Sequence, residues 1–127
     1  MTKGRLAAQV RRWQKLFRLQ EWNLETDVVE RAELEPKHSV GNVIYNVRGR
    51  TAMIAGARED GGDGAERIAL HEMLHLTLAD LVDFATQLTD HLSPDAQCLA
   101  EDAISHEAER VVQRLERGIM DALGERR

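Results

Sequence analysis

Three ionisable side chains lie in the middle of an apolar stretch, IALHEMLHLTLA, at residues 68–79. His71 and His75 are four residues apart, so in a helix both imidazoles project from the same side, one turn apart. There they can occupy two adjacent corners of a tetrahedral Zn²⁺ site. Glu72 is rotated from His71 by about 100°, which suits a carboxylate that contacts a water rather than the metal. This His-Glu-x-x-His pattern predicts zinc-assisted hydrolysis, with Glu72 as general base and then general acid.

The residues around this trio are apolar except for Thr77, and their spacing predicts a helix over 65–83. A helix that is apolar nearly all round is buried in the centre of a fold. Burying ionisable side chains there is costly unless something satisfies them, and a metal ion is one such partner. The alternative is a pair of histidines hydrogen-bonded to backbone carbonyls, with Glu72 in solvent.

A catalytic zinc site usually keeps three protein ligands, so a third donor is expected downstream of His75. The metzincin extension would need Gly and His where this chain has Leu78 and Leu81, which excludes that subclass. His91 follows His75 at the distance at which SprT-like proteases place a third His. Its setting, DHLSPD, lacks the surroundings expected there.

The last predicted helix, over 94–123, offers further donors, with Ser93 as its cap and Pro94 in its first position. His106 points away from the apolar stripe of that helix. Glu101 falls within the stripe, whereas Glu107 and Glu109 flank it, so helical geometry leaves the choice among these carboxylates open. The stripe consists of Ile104, Ala108, Val111, Val112, Leu115 and Ile119.

Two segments together, ERIALHEMLHLTL and EAERVVQRLERGI, resemble the small zincin-type, gluzincin-like metallopeptidases of phages and prophages. In those proteins a short His-Glu-x-x-His helix precedes a helix with a Glu-x-Val-Val/Ile-x-Arg-Leu pattern. The stretches LQEWNLETDVV and RTAMIAGA fit the family as well, so the resemblance spans most of the chain. It implies a minimal zincin-like fold, peptidase activity, and Glu109 as the third zinc ligand beside His71 and His75.

The segments before the motif predict a helix and a small sheet. An apolar stripe predicts a helix over residues 4–20, and alternation from Asn23 predicts a strand. Two β-rich runs at 42–47 and 50–57 indicate a hairpin. The expected fold class is therefore α+β, with a mostly antiparallel sheet, in a single domain over residues 1–127. Either hairpin strand could form an edge that pairs with an extended peptide.

The net charge and the apolar content of the chain indicate which classes of binding partner to expect. The net charge of −5 argues against nucleic acid, and no apolar run approaches the roughly 20 residues of a membrane span. Cys98 is the single cysteine, and no secretory signal is recognisable, so a cytoplasmic protein is expected. The expected partner is a peptide or protein substrate. The alternative is a non-catalytic binding or regulatory protein in which the metal only holds two helices together.

Overall fold

The computed structural model describes residues 1–34, 39–59 and 64–126, and these residues form an α+β structure. Contacts cluster in two compact units, Met1–Thr77 and Leu78–Arg127. The elements in chain order are α1 (Lys3–Leu16), β1 (Asn23–Val29), a 3₁₀ turn (Arg31–Glu33), β2 (Gly41–Asn46), β3 (Thr51–Ala57), α2 (Gly64–Thr77), α3 (Ala79–Leu88), a second 3₁₀ turn (Thr89–His91) and α4 (Pro94–Arg126).

The N-terminal helix α1 buries the predicted stripe but ends at Leu16 instead of near residue 20. Arg18 has a φ of 58°, a left-handed conformation that cannot continue a helix. The amide of Gln14 then donates to the carbonyl oxygens of Leu19 and Trp22, each at 3.0 Å. These two bonds fix the turn that leads into β1. The buried residues of α1 are Leu6, Val10 and Trp13.

The sheet has three strands in the order β1-β3-β2. The predicted hairpin is confirmed, because β2 and β3 pair antiparallel. The prediction of a mostly antiparallel sheet is wrong for β1, which pairs parallel with β3. The physical reason lies in β3, whose small apolar side chains allow burial on both faces and so suit the central position. β1 and β2 therefore lie on opposite sides of β3.

Both faces of β3 are covered. On one face, a Cβ at Gly56 would lie 3.2 Å from a methyl of Leu6 in α1 and 3.6 Å from a methyl of Ile68 in α2. The two helices therefore form one layer over the sheet. On the other face, Leu34 packs with Ala55 and Ala57 into a small apolar cluster. This layered arrangement holds α2 directly against the strands.

The predicted helix over 65–83 is two helices, and this is a correction. Helix α2 ends at Thr77, and α3 begins at Ala79 after Leu78. The hydroxyl of Thr77 donates to the carbonyl oxygen of Met73 at 2.9 Å. Such a bond to the carbonyl four residues earlier competes with the regular backbone pattern and often bends helices. A local polar side chain thus marks the end of a helix that apolar periodicity alone predicts to be longer.

Helix α4 starts as predicted. The backbone N–H of Ala96 donates to Oγ of Ser93 at 3.4 Å, so Ser93 is the N-terminal cap. The predicted apolar stripe is wrong in part, because Val111 and Leu115 are 38% and 43% exposed. Within the second unit α4 has α3 and a 3₁₀ turn as neighbours, and these elements cover only part of its apolar surface. Val112 is fully buried.

Among the residues that the structure describes, no helix has both the length and the apolar composition that crossing a membrane requires.

Substitution of Gly41, the first residue of β2, tests this packing. A Cβ at this position would lie 2.6 Å from Cγ2 of Ile68 and 3.1 Å from the carbonyl oxygen of Ala55. We expect Gly41→Ala to lower the free energy of unfolding by about 1–3 kcal/mol, because α2 must move away from the sheet. Urea unfolding followed by circular dichroism measures this change.

Gly4 in α1 provides the matched control, because a Cβ there would meet nothing within 4 Å. Gly4→Ala should be neutral or stabilising by up to about 1 kcal/mol, since Ala is favoured over Gly in a helix. Equal effects of the two substitutions would contradict the close approach at Gly41.

Candidate metal centre

Helix α2 is the buried element that carries the three ionisable residues, as the sequence predicts. Nine of its 14 residues are buried, including the carboxylates Glu66 and Glu72, and the helix contacts α1, β2 and β3. This burial fixes the side-chain positions of the helix, because a packed helix cannot rotate without moving its neighbours. The buried residues are Ala65, Glu66, Ile68, Ala69, Leu70, Glu72, Met73, Leu74 and Leu76.

An ion pair holds the first turn of α2 against α1. Nη1 of Arg12 lies 3.4 Å from Oε1 of Glu66, whose side chain is only 10% exposed. The guanidinium also lies over the ring of Trp13, 4.7 Å from its centroid. A carboxylate in the first turn of a helix interacts favourably with the helix dipole as well. The pair therefore satisfies a buried charge and fixes the position of α2 along α1.

His71 and His75 lie one turn apart on α2, and both are half-buried. Their ring centroids are 5.0 Å apart, with the ring planes inclined at 65°. Each imidazole offers a nitrogen, and these ligand atoms lie within 4.8 Å of each other. Nitrogen ligands of zinc sit about 2.0–2.1 Å from the metal, so two such rings can reach one ion after small rotations. The local geometry fits two ligands from one helix.

Glu72 is buried, with 6% of its surface exposed. Its Oε1 lies 3.6 Å from the position that a Cβ on Gly41 would occupy. The carboxylate therefore lies close to the first residue of β2. The alternative in which Glu72 points into solvent is wrong.

The candidates for the third ligand differ in exposure. Glu109 in α4 is half-buried, whereas Glu101 and Glu107 on the same helix are exposed. His91, in the second 3₁₀ turn, is exposed. His106 is exposed too, and its Nδ1 lies 3.2 Å from the carbonyl oxygen of Asp102 in its own helix. Glu109 is therefore the least exposed of these candidates.

Two residues that support α2 were not identified as such from the sequence. Gly41 stands just before the strand predicted at 42–47, but it is the first residue of β2 and allows this strand to approach Ile68 and Glu72 closely. The sequence predicts Arg12 on the solvated basic face of the first helix, but in the structure it pairs with Glu66. A glycine immediately before a strand and an arginine beside an apolar stripe are the available signals, and neither is specific.

Comparison with known proteins identifies no relative: no family model, no curated protein and no solved structure matches this chain.

The histidine pair predicts stoichiometric metal binding. Replacing His71 or His75 by Ala should remove high-affinity Zn²⁺ binding, because one remaining imidazole cannot hold the ion on α2. Isothermal titration of the metal-free protein with ZnCl₂ measures the stoichiometry. His106→Ala is the control and should bind like the parent, since that ring is exposed and bonds within α4. Tight binding that survives both substitutions in α2 would contradict the site.

Proposed function

We propose that this protein is a zinc-dependent metallopeptidase. The observation that carries the proposal is a buried helix with two imidazoles whose ligand atoms lie within 4.8 Å, next to a buried glutamate. Structural zinc sites are usually closed by four protein ligands, whereas catalytic sites keep three and leave one position open. Glu72 directly follows His71 and is buried, and a carboxylate in this position of the His-Glu-x-x-His pattern favours a catalytic role.

Zinc is the metal that best fits the proposed donors. Two neutral imidazoles and one carboxylate form a His₂Glu set of the kind found in zinc peptidases. We assign the carboxylate to Glu109, which the sequence pattern in α4 favours and which is more buried than Glu101 or Glu107. Zinc, when bound, would polarise the scissile carbonyl and lower the pKa of a water. The fold, on this proposal, is a minimal member of the zincin class.

Glu72 performs the proton transfers in this proposal. Its carboxylate takes a proton from the attacking water, which adds to the carbonyl carbon of the substrate. The same side chain then gives that proton to the leaving amine as the peptide bond breaks. Both roles require a fixed position, and the packing of α2 against β2 and β3 supplies it. The carboxylate lies close to β2, since a Cβ at Gly41 would be 3.6 Å from Oε1 of Glu72.

An extended peptide is the proposed substrate, and β2 is the strand that we expect to bind it. Of the two hairpin strands, β3 is paired on both sides and cannot accept another strand, so that alternative is wrong. β2 has one free edge in the described sheet, and it contacts α2. Pairing of the peptide backbone with this edge would bring a carbonyl toward α2. Such recognition depends on hydrogen bonds to the peptide backbone and involves neither nucleic acid nor a membrane.

Substitution of Glu72 separates catalysis from a purely structural metal site. Glu72→Gln should keep Zn²⁺ binding and the fold but lower peptide hydrolysis by at least about 100-fold, since general acid–base catalysis contributes that much. Cleavage of an unstructured protein such as casein, followed by mass spectrometry, provides the readout. Glu66→Gln is a control for burial, because it perturbs the ion pair with Arg12 but leaves the proton-transfer group intact. Full activity in Glu72→Gln would refute the mechanism.

Substitution of Glu109 tests the third ligand. Glu109→Gln should weaken Zn²⁺ binding by more than the roughly 10–100-fold cost of losing an outer-shell partner. Glu101→Gln is the matched control, because Glu101 is an exposed carboxylate on the same helix. Competition with a fluorescent chelator measures both affinities. If the two variants bind zinc equally well, Glu109 is not a ligand.

A further inference from the structure

The second unit exposes more large apolar side chains than the first. Ten large apolar side chains of the described residues are exposed, and seven of them lie in this unit. On α3, Leu81, Phe84 and Leu88 are 64%, 61% and 58% exposed. Single exposed apolar residues are ordinary on a monomer, but a contiguous set marks an interaction surface.

These side chains continue into an apolar groove between α3 and α4. The groove has a volume of about 490 Å³ and is lined on one side by residues of α3 and on the other by residues of α4. Leu81 and Val111 belong both to the groove and to the exposed set, so the two features form one surface. Since α3 and α4 form a helical hairpin, we call this surface the hairpin face. Its groove residues are Leu78, Leu81, Val82, Ala85, Ala103, Ile104, Glu107, Ala108 and Val111.

The spacing of the apolar residues along α3 and α4 is typical of helices that pack against further helices. The exposed residues of α3 are three and four positions apart, and Ile104, Ala108, Val111 and Leu115 on α4 follow steps of four, three and four. This 3-4 repeat is the pattern of coiled coils and four-helix bundles. Two helices alone cannot bury such stripes, so the hairpin face needs another helical layer.

We propose that a second copy of this chain supplies that layer, through an antiparallel pairing of the two hairpin faces about a two-fold axis. Each hairpin face carries one negative and one positive side chain that are placed to pair with those of the second copy. Glu107 and Arg114 lie two turns apart on the same flank of the α4 stripe. If Ala108 of one copy packs against Val111 of the other, then Glu107 lies beside Arg114 of the second copy, and symmetry repeats the pair.

The ion pair that Glu107 makes within its own helix does not oppose this arrangement. Glu107 accepts from Arg110 at 2.9 Å, but both side chains are about two-thirds exposed. Exposed pairs of this kind contribute little, so Glu107 can exchange Arg110 for a second partner at small cost. The proposal is independent of the metal site and of the peptidase activity.

Sedimentation velocity over a concentration series tests the proposal by mass action. The full chain should show a monomer–dimer equilibrium. Leu81→Glu and Phe84→Glu should each raise the dimer Kd at least about 30-fold, because a charge then enters an apolar interface. Leu99→Glu is the control and should leave the Kd unchanged. Leu99 is 72% exposed, but it lies about 140° around α4 from Ile104.

Charge reversal tests the pairing itself. Glu107→Arg and Arg114→Glu should each weaken the dimer, and the double variant should restore it, since the two charges exchange places across the axis. Circular dichroism confirms that helix content is unchanged. A monomer at every concentration, a dimer that tolerates Glu at both α3 positions, or a double variant weaker than either single variant would overturn the proposal.

Discussion

The burial of α2 is the constraint on which the rest of this structure depends. The helix is apolar enough to lie between α1 and the sheet, yet it carries two imidazoles and a carboxylate in its second half. Ionisable groups in such a place are costly unless paired, so the helix is stable only if its surroundings satisfy them. The Arg12–Glu66 ion pair does this at the start of the helix. We propose that the two histidines of the helix bind a metal ion.

The same packing gives the site its rigidity. Helix α2 contacts α1, β2 and β3, and glycines at positions 41 and 56 remove the side chains that would hold these elements apart. Glu72 is thereby fixed close to the first residue of an edge strand. A general base must be held within hydrogen-bond reach of the proton that it removes, and loops rarely provide such precision. The fold positions the carboxylate first, and the proposed chemistry depends on that position.

Much of the fold follows from periodicity in the sequence. The stripe of α1, the alternation of β1, the hairpin and the capped start of α4 were all predictable, because each depends on neighbouring residues. The parallel pairing of β1 with β3 was not, since it depends on which strand is central. At the helix break, the hydroxyl of Thr77 bonds to the carbonyl oxygen of Met73, a local contact that apolar periodicity does not reveal. The exposure of Val111 and Leu115 depends on how few elements cover α4, which spacing alone does not reveal.

The candidate site was predictable to a different extent. His71, Glu72 and His75 follow from their spacing, because one helix fixes all three. The choice among carboxylates of α4 needs tertiary structure, and it stays a prediction for Glu109. X-ray absorption at the zinc edge tests the central claim most directly. We expect two imidazole ligands about 2.0–2.1 Å from the ion and one carboxylate oxygen. A spectrum that fits only water or backbone oxygens, with no imidazole scattering, would contradict it.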